Sequence, residues 1–270
     1  MRKSLFGITF ICMLLVASFA MAQGTPSAKF AATWTDTPGL ASVAVITDAT
    51  VDTVVTDSKT GYTLATIKVP QDKELMVGIS AEIGLITDTS VKGKLGGTAS
   101  SIAGAEGYVN VFACPRDGGD CIPAAPGQIM LSKRVQALTA TLGGVIQSCQ
   151  VSCALDDATG DIVCDDIVIA EDCVVTDEQI GLLQDTTAAH HFNFVLPNMD
   201  QGVYDIKAVF TTGARAEVDI CESAEECALY DADGVVSGSA YAKAIINKTM
   251  LTVQQVRAAK GGVIEVVITE

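Results

Sequence analysis

The sequence predicts an all-β fold, an antiparallel β-sandwich with long loops, stapled by disulfides. Three observations predict it. From Lys29 onward, short apolar or alternating runs are separated by Gly, Pro, Asp, Asn and Thr, the punctuation of sandwiches and barrels. Val, Ile, Ala and Leu carry the apolar content while aromatics make up only 5% of the chain, which suits sheets filled by small branched side chains. Finally, an even set of eight cysteines follows a secretion signal.

The signal is residues 1–22. Met1, Arg2 and Lys3 give a basic start, Leu5 to Ala20 an apolar stretch, and Ala20-Met21-Ala22 a small-x-small cleavage site, so the mature chain is expected to begin at Gln23. The apolar stretch is shorter than the roughly 20 residues that cross a bilayer. Cys12 follows Phe10-Ile11, bulky residues where lipoprotein processing needs small ones, so no lipid anchor is expected. Cleavage removes two cations and no acids, making the formal charge of −15 two units more negative. No Lys or Arg occurs between Arg134 and Lys207. Such a surface repels nucleic acid, whose binding relies on cations that displace counterions.

In chain order, Leu40 to Thr47 is apolar on both faces and is expected to be covered on both. Ala49 to Thr56 alternates less strictly. Tyr62 to Val69 alternates, stops at Pro70 and is followed by a candidate strand from Glu74 to Thr87, which predicts a hairpin. Residues 93–104 are rich in Gly, Ser and Ala and read as a mobile loop, because such residues bury little and order at high entropic cost. Tyr108 to Ala113 resumes the strand pattern.

The clearest hairpin expected is His190 to Phe210. Phe192, Phe194 and Leu196 share one face, Tyr204, Ile206, Ala208 and Phe210 the facing one, around the turn Pro197 to Gly202. Tyr241 to Ile246, Met250 to Val256 and Val263 to Thr269 close the series. The segment from Ala188 to Phe210, followed by the late Met250-Leu-Thr-Val strand, resembles secreted bacterial β-sandwich proteins of the jelly-roll type without assigned functions. The resemblance covers about a third of the chain. It implies a jelly-roll-like fold and imports no site.

Disulfides are the default for these thiols in an oxidising compartment. Cys114 and Cys121 bracket the turn Pro-Arg-Asp-Gly-Gly-Asp, and Cys221 and Cys227 bracket a short acidic loop, so both pairs read as loop staples. On one extended strand, Cys149 and Cys153 would lie roughly 13 Å apart, beyond bridging distance. The strong turn Asp156 to Asp161 favours Cys153 with Cys164, nested inside Cys149 with Cys173. The two pairings differ in register by an odd offset, which requires a bulge or bend. The sequential pairing of Cys149 with Cys153 and Cys164 with Cys173 stays open if the first pair sits in a turn. No CxxC pair points to zinc.

His190 and His191 are the only histidines, and neighbours on a strand point to opposite faces, so they do not chelate one metal. Any histidine-based nucleophile machinery must use one of them, and no Gly-x-Ser-x-Gly elbow, zinc-protease motif or phosphate loop accompanies them. Glycosidases need two suitably spaced carboxylates and generally line their sites with rings, whereas Trp34 is the only tryptophan. Calcium is the one cofactor expected as possible: Asp231-Ala232-Asp233-Gly234 resembles the start of a calcium loop, with Asp231 and Asp233 as ligands, but lacks the distal glutamate. Asp117 with Asp120, Asp156-Asp157 with Asp161, and Asp165-Asp166 are similar acidic turns. Asn247-Lys248-Thr249 matches a glycosylation acceptor.

The sequence therefore divides into the signal, an N-terminal extended segment or first strands over 23–57, and a β-sandwich domain over 58–270. The expected function is a non-catalytic secreted structural or surface protein, a subunit of an extracellular assembly that partners copies of itself or other surface proteins. Within it, Lys29 to Thr56 could add as a strand to a neighbouring subunit or pack within its own domain. A calcium- or glycan-binding module is the alternative, with the acidic loops as recognition face. A secreted hydrolase, with a concave pocket holding two close carboxylates or a polarised His191, is the third.

Overall fold

The computed structural model describes residues 29–256 apart from 36–38, 50, 71–72, 95, 157, 165–172 and 221–235. Among the described residues there is no helix. The chain runs through β1 (Phe30–Trp34), β2 (Ala41–Ala49), β3 (Thr53–Val69), β4 (Lys73–Gly93), β5 (Gly97–Pro115), β6 (Ile122–Pro123) and β7 (Ile129–Leu142). It continues with β8 (Val145–Cys149), β9 (Cys153–Leu155), β10 (Ile162–Cys164), β11 (Cys173–Thr176), β12 (Glu178–Met199), β13 (Gly202–Asp219) and β14 (Val236–Val256).

Two antiparallel sheets form the sandwich. The first has the order β1-β14-β4-β12, with β2 also on β14, and the second has the order β3-β13-β5-β6, with β7 also on β5. β1 and β2 share one edge of β14, β1 along Met250 to Gln254 and β2 along Gly238 to Ile245. Both strands of the N-terminal stretch thus pair within their own chain.

The long strands alternate buried and part-exposed residues almost throughout, so the two inner faces close on each other. At one end the core is built from large apolar side chains, with Ile67, Leu75, Phe194, Leu196, Ile206 and Leu251 fully buried. At the other it is built largely from alanine, including Ala99, Ala103, Ala214, Ala216, Ala240 and Ala242, joined by Leu142 and Val218.

That alanine-rich end explains one correction. Over residues 93–104, residue 95 aside, β4 ends at Gly93, Gly96 lies in a turn and β5 begins at Gly97, because Ala99, Ser101 and Ala103 are buried against the opposite sheet. Small residues here set a close sheet approach: a Cβ on Gly97 would lie 2.0 Å from Val236 Cγ2. What the sequence presents as poor burial is burial at short range.

Two expected hairpins are arches instead. β3 and β4 lie in opposite sheets, as do β12 and β13, and each strand finds its partners elsewhere: β3 on β13, β12 on β4, β13 on β3 and β5. The residues assigned to the facing surfaces do meet across the core, Phe194 and Leu196 from one side and Tyr204, Ile206, Ala208 and Phe210 from the other. A turn that reverses the chain serves either geometry, and inward alternation is identical in both.

β2 is covered on one face only. Ser42, Ala44 and Ile46 are buried while Val43 and Val45 are 37% and 45% exposed. The segments from Tyr241 and from Met250 are one strand, β14, carried through a register shift between Asn247 and Met250 where Lys248 takes a φ of 41°. Val263 to Thr269 lies outside the described residues.

Candidate interaction surface

The disulfides define an arm. Cys114 and Cys121 close the turn after β5, with Cα atoms 4.2 Å apart. Cys149 pairs with Cys173 across β8 and β11, and Cys153 with Cys164 across β9 and β10, each at a Cα separation of 4.0 Å and directly opposite in register. This is the nested arrangement, and the sequential alternative is excluded. The odd offset falls between the two bridges, where the ladder breaks between β8 and β9, while a separate register shift between Val174 and Val175 lies on the sandwich side of the Cys149–Cys173 bridge. Cys221 and Cys227 lie outside the described residues.

β8 with β11 and β9 with β10 are two-stranded sheets separate from the sandwich. An isolated two-stranded ribbon is marginal in water, so the two bridges do here what a packed face does elsewhere. Its apolar side chains are exposed, Ile162 at 73%, Leu155 at 61%, and Val145, Ile146, Val163 and Val174 between 49% and 57%.

The arm leaves the sandwich after β7 and returns into β12, the edge strand of the first sheet. Along one side β12 pairs with β4 from Glu178 opposite Gly93 to Leu196 opposite Leu75. Along the other, among the described residues, it makes one bridge, in which Val195 and Ala125 exchange hydrogen bonds of 2.9 Å. From Glu178 to Asn193 the edge is open among the described residues, and residues on both of its faces are exposed, including Ile180, Leu182 and Leu183. No Lys, Arg or Pro interrupts it before Pro197. Those are the devices with which soluble sheets block strand addition. Sequence reasoning missed this edge. The available signal was the stretch from Glu178 to Thr187, free of cations and proline and with Gly181 and Asp185 as its only turn residues.

Among the described residues, two side chains of β7 fasten this half of β12 to the second sheet: Gln136 donates its amide to the carbonyl of Leu182 and Arg134 donates to the Thr186 hydroxyl. Within the first sheet, the Lys92 ammonium on β4 meets the Asp177 carboxylate at 2.8 Å just before β12.

The two histidines sit on opposite faces of β12. His190 points inward beside Phe192, with ring centroids 6.1 Å apart, and its Nε2 is buried without a hydrogen-bond partner among the described residues. His191 lies on the outer face, Nδ1 at 2.9 Å from Ser80 Oγ and Nε2 at 3.2 Å from Asn193 Oδ1. Those two partners are a hydroxyl and an amide, neither of them charged. On the outer face of the second sheet a depression of about 300 Å³ is lined by Ser58, Gly104, Glu106, Lys133, Gly213 and Arg215. Most of its charges meet a partner nearby, Lys133 lying 3.3 Å from Glu106, Arg215 against Glu217 and Asp57 3.6 Å from Lys59, while Arg134, which also lines it, donates to the Leu85 carbonyl and the Thr186 hydroxyl.

Asp231 and Asp233, the candidate calcium ligands, lie outside the described residues, as do Asp157, Asp165 and Asp166. Among the described residues no three His, Cys, Asp or Glu side chains converge on a point that could hold a metal. Asp156 is held below the usual carboxylate range by the Ala158 N–H and the Thr159 hydroxyl, an Asx turn closing the hairpin of β9 and β10. The Asn247 side chain accepts a hydrogen bond of 3.0 Å from the Gly39 N–H.

The fold and its bridges define a disulfide-stapled, all-β sandwich of the kind suited to an oxidising compartment, extracellular or periplasmic. No helix among the described residues is long and apolar enough to cross a membrane. No protein family matches the chain, and no curated protein matches it. Among solved structures, one from the infectious bursal disease virus Gx strain aligns at 13% identity over 81% of this chain and 40% of its own, with a TM-score of 0.15. The Klebsiella pneumoniae type II secretion system outer membrane complex aligns at 10% identity over 61% of this chain and 43% of its own, with a TM-score of 0.08. The chain spans less than half the length of either structure, and at these scores neither bears on its architecture or role.

Proposed function

We propose that the protein is a non-catalytic, secreted structural or surface protein, and that it assembles by pairing the open edge of β12 with the same edge of a second copy. One observation carries this reading: from Glu178 to Asn193 the strand is unpaired on one side among the described residues, with Ile180, Leu182 and Leu183 40%, 44% and 64% exposed. Edge-to-edge antiparallel pairing around a two-fold axis satisfies that row of backbone groups on both chains and closes the assembly. The edge favours a copy of itself over an acidic partner strand only weakly by charge, since Asp185 is its sole ionised side chain between Gln179 and Asn193. It favours it strongly by length, because two identical long strands match end to end. The exposed arm beside it supplies further apolar contact area.

Sedimentation velocity of the mature protein over a wide concentration range tests the proposal. Dimers or larger species are expected, and the double substitution Leu182→Lys with Leu183→Lys shifts them to monomer while leaving the far-ultraviolet circular dichroism of a β-protein unchanged. A wild-type chain that stays strictly monomeric at all concentrations overturns it.

A further inference from the structure

We infer that the outer face of the first sheet carries a binding site for a neutral saccharide, centred on Gly78. This is independent of assembly through β12. The register of four neighbouring strands lays the site out. Ala32, Thr252, Gly78 and Asn193 stand side by side on β1, β14, β4 and β12, and all four are small or short. One row away in one direction stand Trp34, Met250, Ser80 and His191, and one row away in the other stand Phe30, Gln254, Met76 and Val195. The central row is low, the row at Phe30, Gln254, Met76 and Val195 rises along its length, and the opposite row rises at Trp34 and Met250, so a shallow trough about 14 Å wide runs across the strands and lies open at Ser80 and His191.

The floor is polar because Gly78 has no side chain. A Cβ there would lie 2.6 Å from Thr252 Oγ1, 3.2 Å from His191 Cε1 and 3.5 Å from Asn193 Oδ1, so these three side chains fold down over the glycine. Ser80 joins them through His191. Thr252 donates its hydroxyl to the Gly78 carbonyl at 3.3 Å and His191 Nε2 lies 3.2 Å from Asn193 Oδ1, which leaves the Thr252 oxygen as an acceptor and the Asn193 NH2 as a donor for sugar hydroxyls. Apart from Gln254 the raised rim is apolar: Trp34 is 66% and Phe30 58% exposed, both at the β1 end, with Met76, Met250 and Val195 between 37% and 43%. Two rings flanking the small Ala32 offer faces for the C–H side of a sugar.

Charge identifies the class of ligand. None of the twelve positions is Asp, Glu, Lys or Arg, in a chain where 18% of residues are charged. Anionic and cationic ligands thus find no counter-charge in the trough, and an anion also meets a formal protein charge of −15. What remains is an uncharged molecule with a polar edge and an apolar face, extended enough to span several strands, which describes a short neutral oligosaccharide.

Trp34 is the only tryptophan, so its emission reports on this face alone. Titrating the mature protein with neutral hexose and N-acetylhexosamine oligosaccharides, and with uronic-acid oligosaccharides as the charged control, is expected to give a saturable blue shift with at least one neutral series and none with the charged one. Asn193→Ala weakens that binding about ten-fold or more with circular dichroism unchanged. Trp34→Leu, read by calorimetry, loses it as well, and Leu182→Lys with Leu183→Lys retains it, which separates this site from the assembly edge. The inference is overturned if no neutral series shifts the emission at millimolar concentration or if Asn193→Ala binds as wild type. An emission that shifts on dilution of the protein alone overturns it too, because a second copy then covers this face.

Discussion

Thr87 on β4 donates its hydroxyl to Oε1 of Gln136 on β7 across 3.0 Å, so a hydrogen bond joins the two sheets inside the core. The Gln136 amide nitrogen donates in turn to Thr89 Oγ1 at 2.7 Å and to the Leu182 carbonyl. Thr87 and Thr89 are fully buried and Gln136 is 5% exposed. They lie between the large-residue core, which reaches Leu85 on β4, and the alanine-rich core, which begins at Val91. This amide is therefore both a core polar group with its partners in place and one of the few attachments of the open half of β12.

Replacing Gln136 with Leu keeps the volume and leaves two hydroxyls and a carbonyl without their partner. Unfilled buried hydrogen bonds of this kind cost about 1–3 kcal/mol each, partly relieved where a hydroxyl can turn to another acceptor. The Gln136→Leu variant is expected to lose about 2–3 kcal/mol in urea unfolding. Its amide exchange is expected to rise first over Gly181 to Thr186, before the global unfolding limit. Uniform exchange across β12 and β4 refutes the attachment.

The same boundary holds a group that is out of place. Thr212 is fully buried and its Oγ1 has no hydrogen-bond partner among the described residues. Thr212→Val removes an unsatisfied hydroxyl at nearly constant shape. The variant is expected to be more stable by about 1 kcal/mol, read as a raised midpoint in thermal unfolding. A lowered midpoint means that the hydroxyl has a partner in solution.

How much of this was legible in the sequence depends on what each residue's neighbours had to be. Inward alternation identified Phe194, Leu196, Tyr204, Ile206 and Phe210 correctly as core, because a strand's own period decides which side is apolar. Whether β12 and β13 pair or arch over the core was not legible, since both geometries bury those five side chains. The bridges of Cys149 and Cys153 were legible as a preference, because extended geometry separates the two and the turn at Asp156 favours the nested partners, while the sequential pairing stayed open until the ladder opposite each cysteine was known. The start of β5 was illegible for the opposite reason: whether Ala99 and Ala103 bury well depends on how near the other sheet comes. The trough at Gly78 depends on the register of four strands from distant parts of the chain, and no local pattern encodes it.

Three glycines test the close approach of the sheets. A methyl group on Gly97 would lie 2.0 Å from Val236 Cγ2, on a stiff branched side chain, whereas on Gly107 it would meet Ile83 Cδ1 at 2.4 Å, the far end of a flexible one. At Gly143 it would meet nothing within 4 Å. Gly97→Ala is expected to destabilise by about 1–3 kcal/mol, Gly107→Ala by less, and Gly143→Ala to be neutral or stabilising by a few tenths of a kcal/mol. Chemical denaturation of the three variants gives this order, and an equal response at Gly97 and Gly143 contradicts the alanine-built packing.

The arm yields the last prediction, because its two bridges lie in ribbons separate from both main sheets. Closing loops of this size is worth about 3 kcal/mol in the chain-entropy picture, but that stability acts on whatever the loop is coupled to. The double change Cys153→Ser with Cys164→Ser is therefore expected to leave the unfolding midpoint of the sandwich in place while proteolysis between Cys149 and Cys173 accelerates. Acid should act on the same hairpin. Asp156 titrates below its ordinary value of 3.8 because the Ala158 N–H and the Thr159 hydroxyl bind its charged form. A carboxyl depressed by folding contributes stability that is present above its unfolded value and lost as pH falls through its folded one. The turn between β9 and β10 should therefore hold unchanged from neutral pH down to the carboxylate range and loosen only below it, seen as faster proteolysis by an acid-active protease or as loss of the Ala158 amide resonance from its hydrogen-bonded position. Asp156→Ala should show the loosened turn at every pH, and a wild-type arm that loosens above that range would place the cause in another group.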